Sequence, residues 1–177
     1  MIEKLFLDSA SKRFKEYKGL GQKTFDQLSD EEMLFCPNEV SNSIAVIIQH
    51  MHGNMLSRWT NFMTEDGEKE WRNRDDEFEI HLFSKQQLID KWNEGWKVVL
   101  DTLESLIPED LSKNILIRGQ PLNVVDAINR QLTHYSYHVG QIVYIGRWIR
   151  QNDWQSLSIP KNKSQEFNHQ MFNSTRK

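Results

Sequence analysis

The stretch QLTHYSYHVGQIVYIGRWI, residues 131–149, decides the fold. Leu132, Tyr135, Val139, Ile142 and Ile149 recur at helical intervals. With Val124 and Ile128 upstream they predict a helix of about 30 residues that follows Pro121. Within it stand His134 and His138, a spacing that rotates about 40° around a helix and advances one turn, so both imidazoles leave the same face. Two neutral imidazoles aimed at one point can hold a divalent transition metal once a third ligand arrives from elsewhere. A pair of packed core histidines gives the same spacing, and on this helix alone the two readings stand level.

Three further segments carry the same periodicity. The first runs from Ile2 to Lys18, with Leu5, Phe6, Phe14 and Tyr17 near one stripe, and Gly19 and Gly21 are expected to stop it. The second runs from Ser43 to Met63 behind Ser41 and Asn42 as caps, and Ile44, Ile47, Ile48, Met51, Met55, Trp59 and Phe62 step along its apolar face. The third begins at Ser84, whose spacing to Gln87 is a capping box, and keeps its period through Leu88, Trp92, Trp96, Val99, Leu103 and Leu106 until Pro108. Four such helices predict an all-α four-helix bundle with a long crossover between the second and third. Ahead of the last helix, ILIRGQPL predicts two short extended pieces about a turn at Arg118-Gly119. No repeat or internal boundary divides the 177 residues, which are expected to form one domain with a polar, loosely packed tail over residues 160–177.

Composition narrows the function classes. One cysteine, Cys36, excludes a disulfide framework and fits a reducing, cytoplasmic setting. Acids and bases interleave with apolar residues at the start of the chain, unlike a signal or transit peptide. The aliphatic run from Ile44 to Ile48 is far too short to span a bilayer. A net charge of -3 and a pI near 6.1 give no electrostatic reason to expect nucleic acid or membrane as a partner. Six tryptophans point to aromatic packing or a lined pocket.

His50 stands mid-way along the second helix on its apolar side and is the expected third ligand. Asn54 and Arg58 follow at four-residue steps, so a polar stripe of His, Asn and Arg runs along that face. Facing a core, such a stripe needs polar partners and looks like a pocket wall; facing outward, it is the solvent border of an amphipathic helix. His52 is turned about 200° away. Three histidines leave a coordination position open, the arrangement of a reactive metal and not of a structural one. Zinc or nickel suits them best by ligand type, ahead of iron, manganese and copper. Gln131 and Gln141, each three residues from a ligand, are candidates for fixing the imidazole tautomers.

The charged connector of residues 64–83 offers Arg72, Arg74, Asp75, Asp76 and Glu77. Mixed charges this dense usually form a salt-bridged loop; the functional reading is a lid that brings Arg74 or Asp75 over the metal pocket. His81 and His169 are isolated, and Cys36 has no base at a readable spacing, so none of them is an expected site residue. Hydrolysis would need a carboxylate near the metal, and no Asp or Glu lies at helical spacing from the three histidines. Asp126 points the same way as His134 but lies about 12 Å along the axis.

A histidine in the second helix, followed by H-x-x-x-H and then G-Q in the last, resembles the DinB-like superfamily, also called the YfiT-like metal-dependent hydrolases. The segments HMHGNMLSRWTNFMTEDGEKEWRNRDDEF, THYSYHVGQIVYIGR and DWQSLSIPKNKSQEFN are similar to one uncharacterised, mostly bacterial branch of it. The resemblance extends from the first helix to about Asn168. It implies an up-down-down-up bundle, homodimers, and His50, His134 and His138 as metal ligands. It also implies an enzyme that attaches a low-molecular-weight thiol, such as bacillithiol, to small electrophiles, with hydrolysis as the alternative. In that chemistry the metal binds the cofactor thiol as a thiolate, while Arg58 or Arg74 anchors a carboxylate and Asn54 lines the pocket. The remaining classes are a protein that stores or senses a metal or ligand without catalysis and a plain structural bundle whose histidines pack without metal.

Overall fold

The computed structural model describes residues 2–174 and is mostly helical, with one two-stranded sheet. Helices α1 (Ile2–Phe25), α3 (Ile44–Trp59), α4 (Lys85–Ser105) and α5 (Val124–Arg150) are long; α2 (Asp30–Leu34) and α6 (Ser164–Ser174) are short. Strands β1 (Asn114–Ile117) and β2 (Gln120–Asn123) form an antiparallel hairpin before α5. Its turn is Arg118-Gly119, both with positive φ (56° and 71°), a backbone that glycine adopts at no steric cost.

Helix boundaries follow local chemistry. The Ser43 side chain accepts from the Val46 N–H and starts α3, so the cap lies one or two residues after the Ser41 and Asn42 expected for it. The same helix ends at Trp59 instead of Met63, because Asn61 takes φ 52° and cannot continue a right-handed helix. Ser84 and Gln87 close the expected capping box of α4.

Helix α1 departs most from expectation. It runs seven residues past Lys18, straight through Gly19 and Gly21. A Cβ at Gly21 would stand 2.3 Å from Cζ2 of Trp92, so this glycine is where α1 lets the indole of α4 come close. Tertiary packing overrides the stop signal.

The long helices share one core, α3 packing on α4 and α1 on α5, with α1–α4 and α3–α5 contacts closing the set. Aromatic rings fill its middle. Phe14 meets the edges of Trp59 and Trp96 at 5.8 and 6.1 Å, and Trp96 meets Trp92 and Tyr135 at 5.4 and 5.6 Å. The buried Tyr135 hydroxyl accepts from Trp59 Nε1 and donates to Asn54 Oδ1, both at 3.0 Å, so these polar atoms are satisfied in the core. No described helix is long and apolar enough to cross a membrane.

The connector is bound down and not free. Gly67 N–H donates to the Leu116 carbonyl of β1, and the Asp66 carboxylate accepts from the Arg118 and Gly119 amides of the hairpin turn. A short 3-10 turn, Asp76–Phe78, then packs on α3 and buries Glu77. In the tail, residues expected to be loose form α6, which is exposed along its described length.

Candidate metal centre

Helices α3 and α5 bring the expected histidines together. Nε2 of His134 lies 3.3 Å from Nε2 of His50 and 3.0 Å from Nε2 of His138. One ligand atom from each lies within 4.8 Å of the others, and among the described residues this is the group of three or more that could hold an ion. Two nitrogens bound to a tetrahedral zinc stand about 3.3 Å apart, so the donor set fits a transition metal in type and spacing. His50 is buried, and His134 and His138 are half-buried, which leaves the cluster reachable from one side.

Neighbouring side chains turn the rings. Glu77 Oε2 lies 2.9 Å from Nδ1 of His50, and Gln141 Oε1 lies 2.8 Å from Nδ1 of His138. Carboxylate and carbonyl oxygens accept, so both Nδ1 atoms carry the proton and both Nε2 lone pairs face the cluster. Gln141 in turn donates from Nε2 to the Tyr137 hydroxyl at 3.1 Å. Arg72 clamps Glu77 from behind, Nε to Oε1 at 2.7 Å and Nη2 to Oε2 at 2.9 Å, with both side chains almost wholly buried. Phe78 covers the other side of His50, ring centroids 4.8 Å apart.

Electrostatics agree with that geometry. Burial, and then the charges that His138 and His50 would carry, push His134 down to about 3. Burial lowers His138 as well, against the opposing Gln141 hydrogen bond. Both are therefore neutral at pH 7 with lone pairs free for a ligand bond. Burial pushes the Glu77 carboxyl up, but hydrogen bonds from His50 and Arg72 outweigh it and hold Glu77 below the usual carboxylate range.

The other singled-out residues lie elsewhere. Asn54 and Arg58 are buried, so their stripe is not a solvent border. Asn54 serves the Tyr135 hydroxyl, and Arg58 donates to the Gly67 carbonyl and, at 2.9 Å, to Glu68 Oε2, tying α3 to the connector. Arg74 is exposed and lies over the Phe78 ring, 5.2 Å from its centroid. Asp75 is exposed at the start of the 3-10 turn. Gln131 is buried in α5, and its Oε1 has no hydrogen-bond partner among the described residues. Asp126 is exposed in the first turn of α5. His52 faces Glu94 of α4 at 2.8 Å. Cys36 is exposed, its thiol donating to the Asn38 and Ser41 carbonyls at 3.0 and 2.8 Å.

A family model described as a protein of unknown function, DUF1572, matches residues 1–163. The chain belongs to that family. The matched span holds α1 to α5 and every residue of the histidine cluster, and α6 falls beyond it. Curated proteins offer no match.

In this DUF1572 chain, sequence reasoning missed the assignments of Arg72 and Glu77, which it saw only as two charges in a charged connector. The path of that connector over α3 is a tertiary fact, invisible to helical spacing. One local signal did exist. Gly53 sits mid-helix, where glycine costs roughly 0.5–1 kcal/mol, and a Cβ there would lie 2.2 Å from Glu77 Oε1. An interior helical glycine beside a ligand marks the place where another segment presses in.

Proposed function

We propose that this protein is a metal-dependent enzyme that transfers a low-molecular-weight thiol, such as bacillithiol, to a small electrophile. The carrying observation is the convergence of three imidazoles on one point with no carboxylate among them. A divalent metal held there, zinc or nickel by ligand type, supplies Lewis acidity that favours the thiolate form of an incoming thiol. His50, His134 and His138 bind it, while Glu77 and Gln141 orient the rings. The thiolate sulfur forms the new bond to an electrophilic carbon as the leaving group departs with its electron pair, and the thiol proton passes to solvent. Arg74, exposed and 5.2 Å from the centroid of the Phe78 ring that packs near His50, would attract an anionic group of the thiol.

Hydrolysis is the second reading, because Glu77 brings a carboxylate close to His50 that helical spacing did not disclose. Both Glu77 oxygens are engaged by Arg72 and His50, and the group is held ionised, which suits an orienting role and leaves no lone general base. The reading extends to a DinB-like, up-down-down-up four-helix bundle that works as a cytoplasmic homodimer on a small-molecule substrate. Helices α1, α3, α4 and α5 with a crossover between α3 and α4 support the bundle.

The test is conjugation by metal-replete protein. Bacillithiol and 1-chloro-2,4-dinitrobenzene should give the thioether and chloride faster than buffer does, and His138→Ala should abolish the gain. Stoichiometric metal with no conjugation would leave storage or sensing. Ester cleavage without thiol would favour hydrolysis.

A further inference from the structure

We propose that the uncharged groove beside His138 binds the aromatic, electrically neutral body of the small-molecule substrate. The proposal rests on the enzymatic reading for its meaning, but the binding it asserts does not depend on a metal.

Position comes first. The groove lies between α3, α5 and the loop of residues 37–42, with Ile47 and Gln141 in its wall. Ile47 is three residues before His50 and Gln141 three after His138, so on both helices the groove begins about 4.5 Å along the axis from the ligands. A molecule lying in it would have one end at Gln141, the hydrogen-bond partner of His138.

Size and chemistry then select the occupant. At about 460 Å³ the groove is in the range of small-molecule sites. Pro37, Val40, Ile47 and Ile145 supply aliphatic surface, and Ser41, Asn42 and Gln141 supply neutral hydrogen-bonding groups. No Asp, Glu, Lys, Arg or His lines it, in contrast to the connector side of His50, where Arg72 and Glu77 stand. A charged ligand entering would lose hydration with no counter-charge to replace it. Two aromatic side chains one helical turn apart line the α5 wall: Tyr144, 72% exposed, presents open ring surface, and Trp148, 50% exposed, meets Phe35 at 5.9 Å and leaves half its surface open.

Gln141 connects groove and cluster. Its Oε1 holds Nδ1 of His138 and its Nε2 holds the Tyr137 hydroxyl, while the same side chain forms groove wall. A ligand that presses on Gln141 therefore presses on the ring of His138.

The experiment is a calorimetric titration of the full chain, metal-free and metal-replete, with 1-naphthol as a neutral aromatic probe and 1-naphthalenesulfonate as its anionic counterpart. Saturable 1-naphthol binding is expected in both forms, with the sulfonate at least about 10-fold weaker. Tyr144→Ala should weaken 1-naphthol about 10-fold, the size of one lost ring contact, and Tyr144→Phe should restore it. Lys12→Ala, on a separate groove of α1, should change nothing. Amide NMR shifts should centre on Gln141, Tyr144 and Trp148. Failure of 1-naphthol to saturate, equal binding of the sulfonate, or indifference to Tyr144→Ala overturns the groove assignment. Metal content is measured on the same samples. Naphthol binding by a chain that retains no metal even after metal loading would keep the groove and remove the enzymatic reading, and retained metal without naphthol binding would do the reverse.

Discussion

The Glu77 carboxylate accepts the Nδ1–H of His50 at 2.9 Å across a sequence separation of 27 residues, tying the connector to the candidate ligand on α3. That bond fixes which nitrogen of His50 is free. It also gives the charged connector a structural purpose: Arg72 neutralises Glu77 within it, and at Gly67 the connector is held to the hairpin.

Removing a ligand should remove the metal. Wild-type protein is expected to retain about one divalent ion per chain, and His50→Ala, His134→Ala and His138→Ala each to retain none. Elemental analysis after gel filtration reads this directly. Three variants that keep the wild-type stoichiometry would sink every metal-based reading.

Glu77→Gln should keep the fold and weaken the metal. Loss of a carboxylate partner to a ligating histidine typically costs 10- to 100-fold in affinity, and competition with a chromophoric chelator would measure it. Arg72 would lose its buried counter-charge, so the variant should also be less stable, by roughly 3–5 kcal/mol if no water or repacking relieves it. Affinity equal to wild type would show that Glu77 serves the connector alone.

Gly53→Ala separates the connector's grip from the ligands themselves. The added methyl would stand 2.2 Å from Glu77 Oε1 and 2.7 Å from its Cδ, and Glu77 is pinned by two partners. It should move off His50, lowering metal affinity while all three histidines remain. Helix propensity favours alanine by up to about 1 kcal/mol, less than displacing a pinned buried carboxylate costs, so a lowered melting temperature together with weakened metal binding is the expected pattern.

Much of this was legible because helical periodicity reports burial on a helix, and the candidate ligands His134 and His138 share one helix. The α4 capping box and the hairpin turn are local as well, and both form where expected. What escaped was decided across elements. Gly19 and Gly21 carry a stop signal, but α1 continues because Gly21 admits the Trp92 indole. Asn54 and Arg58 share the polar stripe with His50, yet they reach different partners, Tyr135 and the Gly67–Glu68 backbone and carboxylate. Spacing gives the side of a helix, not what waits on that side.

Gly21→Ala would test the first of those cross-element contacts. Its methyl would fall 2.3 Å from the ring of a tryptophan that is 1% exposed, and neither helix can retreat without disturbing Phe25, whose ring meets Trp92 at 5.1 Å. Overpacking of this kind costs about 1–3 kcal/mol, more than alanine's gain in helix propensity. A lower urea midpoint with an unchanged slope is expected, and metal stoichiometry should be unaffected.

Acid should destabilise the metal-free protein before its carboxylates titrate. His134 is pushed down to about 3 in the folded state against about 6.5 in an unfolded chain, and His138 is lowered too. Below pH 6.5 the unfolded chain therefore binds more protons than the folded one, so stability falls as pH drops from about 6.5 toward 3. Glu77, held below its ordinary value, adds to the loss only as pH approaches the carboxylate range. Urea midpoints of chelator-treated protein at pH 7 and pH 5 isolate the histidine part. The decline between them should be shallower in His134→Gln, which cannot take up a proton in either state. An equal decline would assign the acid sensitivity to groups other than His134, with His138 and His52, both lowered by burial, the next to test.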